Sequence, residues 1–211
     1  MSFSRSVDLN RVKELYSKSL KKHGQTPAGV GWGTKDAQFE RFHVLLEGMS
    51  SFGGQPMTIN ELGCGYGALV EFLQGQEIDL EWYCGYDISE EMVNSASNKY
   101  SDGNIEFCVS NKILRPAMYS VASGIFNVAF DFARIEWEEY VYSTIRGMYD
   151  MSTEGFSFNM MSSYVDYYDD KLYYADPSVF IDYCIRNFSR NVSFRHGYGL
   201  YEWTITVMRE R

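Results

Sequence analysis

Apolar residues Leu9, Val12, Tyr16 and Leu20 recur at three- and four-residue intervals through residues 8–22, which predicts an amphipathic helix that Gly24 can end. The same period places Phe39, Phe42, Leu46 and Met49 on one face of a second helix, closed by Gly53 and Gly54. From Met57 onward the pattern changes. Short apolar runs at 57–62, 81–88, 105–109, 119–125 and 155–161 read as strands. Helical stretches lie among them, through Leu69–Leu73, after Ser89, and over 136–151 with Trp137, Val141, Ile145 and Met148 turned inward. Asp176-Pro177 is a helix start, a capping carboxylate followed by proline at the first helical position. Two last strands are expected at 192–196 and 201–208. In the second, Tyr201, Trp203, Ile205 and Val207 alternate with polar residues, as in a half-exposed strand.

Strands alternating with helices imply a parallel sheet wrapped by helices. The turn Gly197-Tyr198-Gly199 is too short for a crossover helix, so the last two strands must run antiparallel. The expectation is one α/β domain over 1–211. Residues 1–55 form an N-terminal helical cap and 56–211 a Rossmann-like core.

Composition narrows the function classes. The 211 residues carry 19 basic and 28 acidic side chains, a net charge of −9, which disfavours a nucleic-acid partner because phosphate binding rests on clustered Lys and Arg. No run of 18 apolar residues exists and the N-terminus lacks an apolar signal core, so no membrane span and a cytoplasmic location are the expectations. Cys64, Cys84, Cys108 and Cys184 have no zinc-type spacing and read as reduced thiols, and no metal site is expected. Tyrosine is frequent, at 17 copies, which suits either an aromatic pocket or an ordinary aromatic core and surface.

The candidate chemistry centres on Glu61-Leu62-Gly63-Cys64-Gly65-Tyr66-Gly67, between a strand and a helix. Glycines there let the backbone turn sharply and approach a ligand, and the following helix presents free N–H groups. Asp87 closes the second strand, where a carboxylate can accept hydrogen bonds from both hydroxyls of a ribose. Residues 59–70, followed by Tyr86-Asp87-Ile88-Ser89, resemble the first two motifs of class I S-adenosylmethionine-dependent methyltransferases. Glu61, Gly63, Gly65, Gly67 and Asp87 match that pattern position by position. The strand order with its final hairpin, seven strands and mostly parallel, is also similar. The wider pattern resembles uncharacterised bacterial small-molecule methyltransferases.

The resemblance implies S-adenosyl-L-methionine as cofactor. Gly63, Gly65 and Gly67 would lie under its methionine part, and Glu61 would orient the loop and meet the amino group. Asp87 would hold the ribose and Ile88 would pack on adenine. Asn111 stands where the family often has an acidic residue facing the adenine amino group, and Ser123 opens the segment beside the methyl group. In the cap, Trp32 lies in a Gly-rich stretch, and Gln38 and Arg41 share a helix at i, i+3 spacing. Arg41 is expected to pair with the cofactor carboxylate, because the glycine loop supplies no cation. For the acceptor, Tyr164, Asp166 and His196 are the candidate groups to position or deprotonate a hydroxyl, with ordinary loop residues as the plain alternative. The acceptor is expected to be a small molecule, such as a sugar or another hydroxyl or carboxyl compound. A catalytically silent cofactor-binding subunit is the alternative. A nicotinamide-dependent oxidoreductase is a weaker one, since Gly63–Ala68 also fits Gly-x-Gly-x-x-Ala but the hairpin is foreign to that fold.

Overall fold

Among the described residues seven strands form one sheet in the order β3-β2-β1-β4-β5-β7-β6. They are β1 (Met57–Leu62), β2 (Leu80–Asp87), β3 (Ile105–Val109), β4 (Ala117–Ala122), β5 (Ser152–Met161), β6 (Val192–His196) and β7 (Glu202–Met208). This computed structural model describes residues 7–49, 56–76, 78–101 and 103–210. β1 pairs in parallel with β2 and β4, as do β2 with β3 and β4 with β5. β7 enters antiparallel between β5 and β6. The expected mostly parallel sheet with a C-terminal antiparallel hairpin is therefore present.

Among the described residues six α-helices accompany the sheet: α1 (Asn10–His23), α2 (Lys35–Glu47), α3 (Ala68–Gly75), α4 (Glu90–Lys99), α5 (Arg134–Asp150) and α6 (Pro177–Asn187). Their ends follow local chemistry. Thr34 accepts from the Ala37 amide at 3.1 Å, Ser89 from Met92 at 3.2 Å and Asp176 from Ser178 at 2.9 Å, each satisfying an amide the first turn leaves free. Gly24, at a positive φ of 67° that suits glycine, stops α1, and its amide still donates to the Leu20 carbonyl. α2 ends at Glu47, before the glycine pair expected to close it; Gly53 and Gly54 lie outside the described residues.

One apolar cluster joins α5 and α6 to the sheet through Trp137, Ile145, Phe156 and Trp203; the other joins α2, α3 and α4 through Phe42, Leu69, Tyr83 and Met92. Two expectations need correction. β4 ends at Ala122 rather than at 125, because Gly124 turns the chain at φ 72°. β7 is buried at every position, not half exposed, because it lies inside the sheet between β5 and β6 and both its faces are covered. Its polar residues are held by partners: the Thr206 hydroxyl by Ser157 at 3.0 Å and Glu202 by Arg41.

The direction of winding reverses between β1 and β4, which lead to neighbouring strands on opposite sides. In an open α/β sheet the ligand crevice lies beyond the carboxyl ends of the strands at such a point, and the glycine loop leaves β1 there.

Candidate active site

A partly open cleft lies at this switch point, walled by the glycine loop, the ends of β1, β2 and β4 and the N-terminal segment. The loop after β1 forms its floor. The amides of Gly63 and Cys64 both donate to the Tyr86 carbonyl on β2, at 2.7 and 3.0 Å, which folds the loop back over the strand end. Gly63 sits at φ 81°, and a Cβ there would stand 2.0 Å from the Ile125 side chain, so only glycine fits.

Asp87 ends β2 and faces the cleft. Its two carboxylate oxygens accept from the Gly65 amide at 2.9 Å and the Ser89 amide at 2.8 Å, tying the glycine loop to the start of α4. Burial raises its pKa, and the amides of Ser89, Gly65 and Ile88 oppose that shift. Glu61, on β1, is buried against the same cleft and accepts from the Tyr83 hydroxyl. Burial pushes its pKa up to about 8; the Tyr83 bond pulls down and the nearby Asp87 charge pushes up further. The cleft thus holds one buried carboxyl group, Glu61, and one half-buried, Asp87, among mainly apolar walls.

Most residues singled out in the sequence meet here. Glu61, Gly63, Gly65, Asp87, Ile88, Asn111, Ser123 and Trp32 all line the cleft. Gly67 does not; it caps α3 behind the loop at φ 83°. Beyond β4, the Gly124 amide donates to Asn159 Oδ1 at 2.7 Å, and Asn159 Nδ2 reaches the Ser123 hydroxyl at 3.4 Å, so β5 braces this loop. Trp32 presses on the same loop: a Cβ on Gly124 would stand 2.4 Å from the indole.

Arg41 is placed differently from its expectation. It lies outside the cleft lining, with its guanidinium 3.8 Å from the Trp32 ring centroid. Its Nε and Nη2 donate to the two oxygens of Glu202 at 2.8 and 3.0 Å, and Nη1 donates to the Ala37 carbonyl at 2.8 Å. The arginine charge is thus matched within the protein by a carboxylate that no local sequence signal marked. Tyr164, Asp166 and His196 also lie outside the lining. They gather on the loop after β5 and at the end of β6. Tyr164 and His196 have ring centroids 6.1 Å apart, Asp166 accepts from the Tyr201 hydroxyl, and Tyr164 is exposed.

The structure also brings to the cleft residues that were not among the candidate site residues. Val12 and Tyr16 of α1, Val30, and Gln38 and Phe42 of α2 form the wall contributed by the N-terminal segment, and Met92 and Tyr140 contribute from α4 and α5. The apolar spacing that made α1 amphipathic was the available signal for Val12 and Tyr16, and it does not distinguish a core face from a cleft face.

No protein-family model matches the chain. A Mycobacterium tuberculosis protein named "Putative methyltransferase Rv1506c" is 43% identical over 157 residues, covering 73% of this chain and 94% of that protein. Among solved structures, magnesium protoporphyrin IX methyltransferase from Synechocystis PCC 6803 with bound SAH aligns with TM-score 0.72 at 14% identity, over 97% of this chain and 100% of that one. A DhpI–SAH complex aligns with TM-score 0.64 at 14% identity, over 96% and 98%. These structural likenesses carry the fold; the sequence relationship carries the kinship. With the glycine loop, Asp87 and the seven-stranded sheet in place, the chain belongs to the class I, S-adenosylmethionine-dependent methyltransferases.

Proposed function

We propose that this chain transfers the methyl group of S-adenosyl-L-methionine to a small-molecule acceptor that enters between the N-terminal segment and the loops after β4 and β5. The observation that carries the reading is the cleft itself: an apolar slot that runs from Asn111 and Ile88, past Asp87, to the glycine loop and Ser123. Its parts suit the parts of the cofactor. Ile88 and Met92 give apolar faces for adenine, with Asn111 at its polar edge. Asp87 accepts from the ribose hydroxyls. Glu61 faces the amino group above the glycine loop, and its buried carboxyl becomes a favourable counter-charge when a cation arrives beside it.

Bound there, the cofactor supplies an electrophilic methyl group. The protein's task is alignment: holding the acceptor atom in line with the methyl carbon and sulfur provides much of the rate. Trp32, Ile125 and Tyr16 supply apolar walls that keep water away. The helices before β1 act as a cap over the cofactor. Tyr164, Asp166 and His196, outside the cleft lining, would meet the distal part of the acceptor rather than the atom methylated. Magnesium protoporphyrin IX methyltransferase, by its name, acts on a small molecule, which supports an acceptor of that size here.

The test is twofold. Thermal stabilisation by S-adenosylhomocysteine, compared with NAD and NADP, reads cofactor choice, since a ligand in excess that binds only the native state must raise the melting temperature. Methyl transfer from labelled cofactor into a metabolite extract then reads turnover and acceptor class. Label appearing only in protein would overturn the small-molecule reading, and no label anywhere would favour a silent subunit.

A further inference from the structure

S-adenosylmethionine carries a carboxylate that must find hydrogen-bond donors once it leaves water. Arg41 was the cation expected to meet it, yet its donors are engaged by Glu202 and Ala37. The glycine-loop amides are also largely engaged: Gly63 and Cys64 donate to Tyr86, Gly65 to Asp87 and Gly67 to Cys64.

Two other donors face the same space. Gln38, one turn before Arg41 on α2, is 3% exposed and lines the cleft. Its Oε1 accepts from the Tyr66 hydroxyl at 3.1 Å, which fixes the side chain above the glycine loop. Its Nε2 carries two N–H groups and meets no acceptor among the described residues. Beside it, Val30 approaches Gly65 so closely that a Cβ there would stand 3.0 Å away, so this part of the cap sits directly on the loop.

Tyr16 is the second. Its ring packs beside Gly31 and lines the cleft, and its hydroxyl has no hydrogen-bond partner among the described residues. Burial, with Asp87 and then Glu202 adding to it, pushes its pKa up to about 12, so it stays a donor at neutral pH. Tyr16 shares the cleft lining with Gln38, Glu61 and Asp87.

We infer that Gln38 Nε2 and the Tyr16 hydroxyl bind the carboxylate of the cofactor, forming a neutral clamp in place of an arginine. The assignment rests on the cofactor placement proposed above. Arg41 then acts as a positioning residue, which holds Trp32 and the α2 turn that carries Gln38.

The test compares S-adenosylhomocysteine with its decarboxylated analogue, which keeps the nucleoside, thioether and amino group. Affinities of both are measured by calorimetry on the full chain, with melting temperatures recorded to confirm folding. Wild type should bind the carboxylated ligand about tenfold more tightly, as expected for donors to a charged group. Gln38→Glu retains an acceptor for Tyr66 and replaces the amide donor with an anion. It should weaken S-adenosylhomocysteine at least about tenfold and leave the analogue within about twofold. Tyr16→Phe should do the same by about fivefold. Arg41→Met should weaken both ligands alike. Equal losses for both ligands in Gln38→Glu and Tyr16→Phe, or losses in neither, would overturn the clamp, as would a carboxylate-selective loss confined to Arg41→Met. Wild type binding neither ligand would instead sink the cofactor placement, and the clamp with it.

Discussion

Arg41 and Glu202, 161 residues apart, share a bidentate ion pair at 2.8 and 3.0 Å, with side chains 9% and 1% exposed. The pair joins the first turns of α2 to the first residue of β7, and Trp32 covers it. Burial raises the Glu202 pKa while Arg41 opposes that shift. A buried pair of this kind is weak evidence for net stabilisation, but removing one partner leaves the other charge stranded. Arg41→Met and Glu202→Gln should therefore each cost about 3–5 kcal/mol, measured as the loss of unfolding free energy in urea. The double variant Arg41→Met/Glu202→Met should recover much of that loss, since no isolated charge remains.

Asp87 supplies a second expectation. Asp87→Asn keeps the size of the side chain but loses the charge and one acceptor, so either the Gly65 or the Ser89 amide goes unpaired. S-adenosylhomocysteine affinity should fall about ten- to a hundredfold, since hydrogen bonds to charged groups contribute about 1.5–3 kcal/mol. Titration calorimetry would read this directly; an unchanged affinity would remove Asp87 from the ribose site.

Close packing at Gly124 bears on the cap. An alanine Cβ there would stand 2.4 Å from Trp32, and φ 72° is already costly for an L side chain. Gly124→Ala should displace the indole and quench or shift fluorescence attributable to Trp32, with weaker cofactor binding and slower transfer. Trp32→Ala in the same background separates the two effects: if Trp32 is the element disturbed, adding Gly124→Ala to it should change binding little.

Glu61 makes stability depend on pH. Its folded pKa of about 8 lies above the ordinary 4.5. The unfolded chain loses this proton first, so folding is favoured below about pH 4.5 and that contribution is lost as pH rises to about 8. Glu61→Gln, which still accepts from Tyr83, should flatten the decline in unfolding free energy between pH 5 and 8. Bound cofactor should lower the Glu61 pKa, so its binding should release protons near pH 7, detectable as buffer-dependent enthalpies.

Residues outside the lining have a separate signature. Tyr164→Phe, Asp166→Asn and His196→Gln should leave S-adenosylhomocysteine affinity within about twofold, because none lines the cleft. Any effect should appear in the KM for the acceptor. A loss confined to kcat, together with a changed pH profile, would return one of them to a proton-transfer role.

Much of the fold was legible in the chain because its signals are local. The helical spacing around Trp137, the Asp176-Pro177 start and the short Gly197-Tyr198-Gly199 turn depend only on neighbours in sequence, and each appears where expected. The glycine loop and Asp87 were legible for a related reason: a sharp turn leaving a strand needs glycine wherever it occurs, and the second strand brings its last residue beside that turn. Arg41 was misjudged because its partner, Glu202, lies on a strand inserted late between β5 and β6, and nothing near either residue encodes their meeting. The half-exposed reading of β7 failed on the same insertion. Sequence by itself determined the elements, the glycine turn and the carboxylate beside it. Only the tertiary structure decided which side chains of the N-terminal segment face the cleft and which are spent on one another, because an amphipathic face looks the same whether it covers a core or a ligand.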